Sequence, residues 1–220
     1  MRAGEVAAAM GSSVRIAPPP RARRSHSERT AATRARVMAA VVESINEIGF
    51  HRTTGSEIAR RAGVSWGAIQ HHFRDKDGIL IAVLEQAYRQ FADQLGAPPP
   101  EKLTVEGRVE VFIDRAWAHF SGPEYRSTYE IILNLPEDLD ESWIDNVIGD
   151  WERIWADFFP TPKSAKRRVG ELMQYTFAVL SGLAGSHLLQ KRGARVRVVG
   201  LELLKDTLAR ELSRWSVPPR

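Results

Sequence analysis

The sequence predicts an all-α protein: an N-terminal three-helix helix-turn-helix domain joined by a long helix to a larger helical domain. Three observations carry this. Apolar residues recur at spacings of three and four along most of the 220 residues, without the alternation of a half-buried strand. At "AGVSWG", residues 62–67, a glycine that can end one helix is followed by a serine that can cap another. Beyond the proline-rich break "GAPPPEK", residues 96–102, helical periodicity resumes with a high density of aromatic rings.

Composition narrows the chemistry. There is no cysteine, which excludes disulfides, thiolate metal sites and a cysteine nucleophile. No apolar run approaches the roughly 18 residues of a membrane span, so a non-membrane, cytoplasmic protein is expected. The net charge of +4 is unevenly placed: residues 1–95 carry 14 Lys and Arg against 9 Asp and Glu, the remainder 17 against 18. A basic front end on a near-neutral body suits a polyanion partner.

Residues 1–27, with "APPPRARR", lack apolar periodicity and read as a disordered basic tail: inert, an arm for phosphate, or a targeting segment. The first helix spans about 29–48, with Val37, Met38, Val41, Val42, Ile45 and Ile48 on its apolar face and Gly49 as its stop. Thr54 and Glu57 stand in the relation of a capping box and start a second helix, about 55–62. Gly63 ends it, and Ser65 caps a third helix running to about His72. An α-helix fits the major groove with its N-terminal side chains at base edges, so a helix placed in this way points to double-stranded DNA.

The stretch "TTGSEIARRAGVSWGAIQHHFRDKDGIL" closely resembles the DNA-binding signature of the tetracycline-repressor (TetR) family. Thr54, Ile58, Ala59, Ala62, Gly63, Val64, Ser65, Gly67, His72, Phe73, Lys76 and Leu80 match at the family's spacing. The resemblance covers residues 28–80 and implies a homodimeric regulator that contacts DNA through Thr53, Thr54, Ser65, Trp66, Gly67, Ala68, Gln70, His71, His72 and Lys76. Gln70 departs from the family's usual tyrosine. It removes a ring and a phenol directed at phosphate, and supplies a side chain able to bond adenine bidentately.

Each of these residues also has a plainer role open to it. Adjacent histidines on a helix diverge by about 100°, so His71 and His72 do not converge on one metal ion, and no neighbouring nucleophile or carboxylate makes them catalytic. Trp66 is either a structural wedge or an exposed ring for sugar and thymine methyls. Gly67 allows close approach to DNA or is simply tolerated. Thr54 and Ser65 cap helices and can still contact phosphate. Ile69 and Phe73, four apart, are core.

A fourth helix, about 75–95, is long enough to join two domains and lines one face with Ile79, Leu80, Val83, Leu84, Ala87, Tyr88, Phe91 and Leu95. Helices follow at about 103–121, 124–134, 140–159, 163–190 and 195–215. Their rings form either an aromatic core or a ring-lined ligand cavity. Taken as a cavity, its lining is Tyr88, Phe91, Phe112, Trp117, His119, Phe120, Tyr129, Asn134, Trp151, Trp155, Gln174 and Phe177. The resemblance implies that the last two helices pair with their copies in a second subunit, through Leu180, Gly182, Leu183, Gly185, His187, Leu188, Leu201, Leu204 and Leu208. The glycines of "SGLAGS" mark close helix approach or a kink.

The domains expected are therefore 1–27 tail, 28–77 DNA-binding, and 78–220 effector-binding and dimerising. No Walker loop, dinucleotide fingerprint, HExxH or G-x-S-x-G elbow is present, and the carboxylates of "LPEDLDESW" suit capping. No enzyme activity, cofactor or metal is expected. The function implied is a repressor released from an inverted-repeat operator by an apolar or aromatic small molecule. A helical regulator without diffusible effector and a helical lipid or small-ligand carrier are the alternatives.

Overall fold

Helix formation starts earlier than periodicity predicts, because a cap sits inside the segment expected as tail. Ser25 accepts from the Glu28 amide at 3.2 Å while the Glu28 carboxylate accepts from the Ser25 amide at 2.7 Å, a reciprocal capping box. The computed structural model describes residues 25–100, 102–136, 142–189 and 199–215, with side chains except at 142–147, 188–189 and 199. The tail before Ser25, including "RARR", lies outside the described residues.

The described chain holds nine α-helices and no strand: α1 His26–Ile48, α2 Gly55–Ala62, α3 Trp66–Phe73, α4 Lys76–Leu95, α5 Val105–Phe120, α6 Tyr125–Ile132, α7 Ser142–Phe158, α8 Lys166–Leu189 and α9 Val199–Ser213. Two apolar cores organise them. The first gathers Val37, Val41 and Ile45 of α1, Ile58 and Ala62 of α2, Ile69 and Phe73 of α3, and Ile79, Leu80, Ala82, Val83 and Leu84 on the first half of α4. The second gathers Phe91 and Leu95 of α4 with rings and leucines of α5 to α9. The two halves of α4 thus belong to different cores, which makes it the shared beam between domains.

Tight geometry fixes α3 at both ends. Gly63 takes the left-handed conformation, φ 63° and ψ 40°, that ends α2, and Ser65 caps α3 through the Ala68 amide. Arg74, also at positive φ (69°), then reverses the chain into α4, where Asp75 caps through the Gly78 amide. A Cβ on Gly78 would lie 2.1 Å from the Phe73 carbonyl oxygen, so only glycine fits beneath the end of α3.

The last predicted helix is described over Val199–Ser213. Among the described residues, no helix is long and apolar enough to cross a membrane.

Candidate nucleic-acid interface

On α3 the buried side is Ile69 and Phe73; opposite them Ser65, Gly67, Gln70 and His71 are exposed and Ala68 is half-exposed. Nothing comes within 4 Å of a Cβ built on Gly67, so its outer face is open. Arg34 of α1 fixes the helix from behind. Its guanidinium donates to the His72 carbonyl at 2.6 Å and lies 4.3 Å over the Phe73 ring. Burial, and then the positive neighbours His71, Arg34 and His26, hold the His72 imidazole below its ordinary value. The His71 and His72 rings stand 5.3 Å apart at 64°.

On α2, Thr54 is exposed and accepts from the Glu57 amide at 3.3 Å, but the predicted capping box closes only halfway. The Glu57 carboxylate turns instead to Arg60 and Arg61, and those hydrogen bonds hold it down at about 2. Arg61 also reaches Glu47 at 2.7 Å, pinning α2 to α1. Lys76, at the start of α4, lies 4.6 Å over the Phe50 ring.

Two predicted contacts are corrected. Thr53 is fully buried: its hydroxyl donates to the Gly49 carbonyl at 3.0 Å and accepts from Ser44 at 2.9 Å, so it braces the turn before α2 and has no face for DNA. Trp66 is half-buried, with its six-membered ring within 2.8 Å of where a Gly55 Cβ would stand. It is chiefly the wedge between α2 and α3. The absence of a side chain at Gly55 was the available signal.

The second core brings together most of the residues expected around an effector, but as a packed cluster. Phe91 stacks on Trp151 at 5.0 Å and meets His119 and Phe120 at 4.9 and 5.7 Å; Phe112 meets Trp151, Trp155, Phe158 and Phe159 at 5.1–5.8 Å. Tyr88, Trp117 and Tyr129 pack at its margin. Among the described residues, ring lies against ring through this cluster. Three of the expected lining residues are elsewhere: Gln174 is exposed, Phe177 is 49% exposed with only its edge on Phe120, and Asn134 donates to the Glu130 carbonyl within α6. Tyr125, Phe159 and Ser181 are present instead.

Within this cluster the buried Tyr88 Oη and Trp155 Nε1 have no hydrogen-bond partner among the described residues. Burial pushes the Tyr88 phenol up to about 12 and the His119 imidazole down to about 4. His119 therefore folds as the neutral ring. Since the unfolded chain takes up the proton near 6.5 and the folded one only near 4, His119 contributes stability that is complete above about pH 6.5. That contribution drains away toward pH 4, by about 2–3 kcal/mol after discounting its residual solvent contact. Urea unfolding at pH 7.5, 6 and 5 should show His119→Leu losing less stability than wild type on acidification; parallel losses would contradict this.

For the dimer, the structure corrects three positions of the predicted seam, Leu180, Leu204 and Leu208. Leu180, Leu204 and Leu208 point into their own core, Leu201 packs against it, and Leu183 lies over Gly200. A Cβ on Gly185 would stand 3.4 Å from the Tyr129 hydroxyl. Gly182 and His187 are exposed, and the Leu188 side chain lies outside the described residues. On α8 and α9 the exposed large apolar residues, among those described, are Tyr175, Phe177 and Leu203, 40%, 49% and 64% exposed.

An exposed, rigidly braced second helix of a helix-turn-helix, mounted through a shared helix on a helical bundle, defines a DNA-binding type of fold. Residues 37–83 match the family described as bacterial regulatory proteins, tetR family. The HTH-type transcriptional regulator BetI of Escherichia coli is 41% identical over 85 residues, covering 37% of this chain and 43% of BetI. The chain thus matches less than half the length of that relative. Among solved structures, FadR of Bacillus subtilis in complex with stearoyl-CoA aligns with a TM-score of 0.59 at 20% identity, covering 81% of this chain and 96% of FadR. A TetR-like transcriptional regulator from Rhodococcus sp. aligns at 0.59 and 16%, covering 87% and 99%. The N-terminal domain therefore matches the tetR family, and the fold of the chain is similar to that of TetR-like regulators.

Proposed function

We propose that the chain is a homodimeric transcriptional regulator, a repressor that binds an inverted-repeat operator and leaves it when an apolar or aromatic small molecule enters the second core. The family is one of regulators rather than enzymes, and this reading places the protein in the cytoplasm. The observation that carries it is the outer face of α3: Ser65, Gly67, Gln70 and His71 stand clear of the core on a helix whose every other side is anchored.

Three features support the finer parts. The exposed Tyr175, Phe177 and Leu203 suit pairing with a second copy through α8 and α9. Unpartnered polar atoms among the rings suit a ligand that bonds them, and a structure of this fold binds stearoyl-CoA. Finally, α6 bridges the two cores. Tyr125 lies 4.8 Å from Phe120, while Ile131 is buried in the first core, Ser127 donates to the Val42 carbonyl at 3.2 Å, and Glu130 accepts from the Phe50 amide at 3.1 Å. Movement of the rings therefore has a route to the helix-turn-helix besides α4. The dense ring packing favours one competing reading, a regulator without effector.

The test is capture of genomic DNA fragments by the purified chain. Bound fragments should share an inverted repeat with half-site centres about 10 base pairs apart or a near multiple. Gln70→Ala should relax discrimination at one base pair by about 1–3 kcal/mol. Fragments without symmetry, or none enriched, would refute the operator; unchanged base preference would put Gln70 on the backbone.

A further inference from the structure

The last turn of α4 is closed by a residue of another helix. Carbonyls at a helix end lack an intrahelical donor, and the Leu95 carbonyl accepts from Arg115 Nη1 of α5 at 2.6 Å. The same nitrogen donates to the Ala97 carbonyl at 2.9 Å, so both of its hydrogens are spent on the chain as it leaves α4. Gly96, between the two carbonyls, holds φ 62° and ψ −162°, a conformation open to little but glycine. A Cβ placed on it would lie 3.7 Å from Arg115 Nη1. Pro98, Pro99 and Pro100 follow and keep this exit extended. The guanidinium also has the right sign for the negative end of the helix dipole.

Arg115 stands on a helix that is itself held. Phe112, Ile113 and Ala116 of α5 are buried in the second core, and Asp114 receives Lys205 of α9 at 2.7 Å. Neighbouring residues on a helix diverge by about 100°, so one of this adjacent pair ties α5 to α9 and the other ties it to the end of α4. Arg108, two turns earlier, uses its guanidinium in the same way but on the Leu103 and Phe158 carbonyls, both at 3.3 Å, and neither belongs to α4. A short chain of polar contacts thus runs from α9, through Asp114 and Arg115, to the helix whose other end carries α3.

We propose that Arg115 is a positioning residue that sets which half-site spacing the dimer accepts. It acts at a distance from DNA, by pinning the Leu95 end of α4 so that the two recognition helices keep one separation and one relative rotation. Changing the spacing by one base pair moves a half-site about 3.4 Å along the duplex and about 35° around it. A pinned α4 does not follow that change; an α4 whose exit has lost both bonds does. The proposal rests on the reading above of a homodimer on an inverted repeat.

The test selects bound sequences from a pool of random-sequence duplexes, using the full chain as wild type, Arg115→Leu, Arg115→Gln and Arg108→Leu. Wild type should enrich one half-site in inverted repeat at a single spacing. Arg115→Leu should enrich the same half-site at that spacing and at spacings one base pair longer and shorter. In anisotropy titrations, a one-base-pair change of spacing should weaken wild-type binding about tenfold or more, and Arg115→Leu binding by less than about threefold. Arg108→Leu should keep the wild-type spacing, which separates the pin on α4 from a general loss of bonds on α5. Thermal melts establish that each variant is folded; if Arg115→Leu is not, Arg115→Gln, too short to hold both carbonyls, carries the test. A single spacing for the folded Arg115 variants would overturn the role of Arg115 and leave the operator reading standing. So would a broadened spacing in Arg108→Leu, or a changed half-site sequence in Arg115→Leu. A wild type that enriches no inverted repeat would overturn the operator reading and this inference with it.

Discussion

Raising KCl from 50 to 200 mM should weaken operator binding by about a thousand- to a hundred-thousand-fold, the loss that follows when six to ten phosphate contacts give up their released counterions. The interface supplies that number from ordinary parts. Each protomer offers the capping hydroxyls of Thr54 and Ser65 at helix starts, where backbone amides also favour an anion. Next to them stand His71 and His72 and, at the head of α4, Lys76. Three to five contacts from each of two protomers reach the required total. Titrations of the intact operator and of one half-site should separate widely in affinity. A flat salt dependence, or equal affinity for half and whole sites, would be incompatible with two protomers docking through these residues.

Replacing Trp155 by alanine should cost the folded protein about 3–5 kcal/mol. Its ring has no solvent exposure and packs on Phe112, Phe159 and Trp151 at 5.3, 4.9 and 6.5 Å. At about 2–4 °C per kcal/mol for a chain of this size, the melting temperature should drop by about 10 °C. Trp155→Phe should cost clearly less. It keeps part of the ring and removes the indole N–H, which is buried without a hydrogen-bond partner among the described residues. Denaturant unfolding of both variants decides the matter. An alanine variant within about 1 kcal/mol of wild type would take Trp155 out of the core.

Local rules made the first domain readable. Gly63, Ser65 and the Ile69–Phe73 pair are each determined by neighbours within one helical turn, and the structure uses each as spacing predicts. Failures began where a residue's partner is distant or where two partners compete. Nothing in "TTG" separates the buried Thr53 from the exposed Thr54; only the Gly49 turn and Ser44 of α1 do. Glu57 satisfies its spacing to Thr54 yet bonds Arg60 and Arg61, because charged donors outcompete a backbone amide. In α8 and α9 the ambiguity is deeper. Helical spacing shows that Leu180, Leu204 and Leu208 share an apolar stripe, but a stripe facing its own core and one facing a second copy have the same period. The effector region suffers similarly, since a row of rings reads alike whether it encloses space or fills it.

The fit of Gly78 under the Phe73 carbonyl leaves no bearing between α3 and α4 on which one could swivel against the other. The recognition helix is in effect welded to the end of a rod. With 20 residues, α4 is about 30 Å long. A turn of about 5° at its Leu95 end therefore sweeps the welded end through about 2.6 Å, close to the full length of a hydrogen bond. Under the proposed function, the exposed face of α3 is a pointer whose aim is set from the far domain, and a displacement too small to unpack the rings around Phe91 would carry Gln70 out of reach of a base edge.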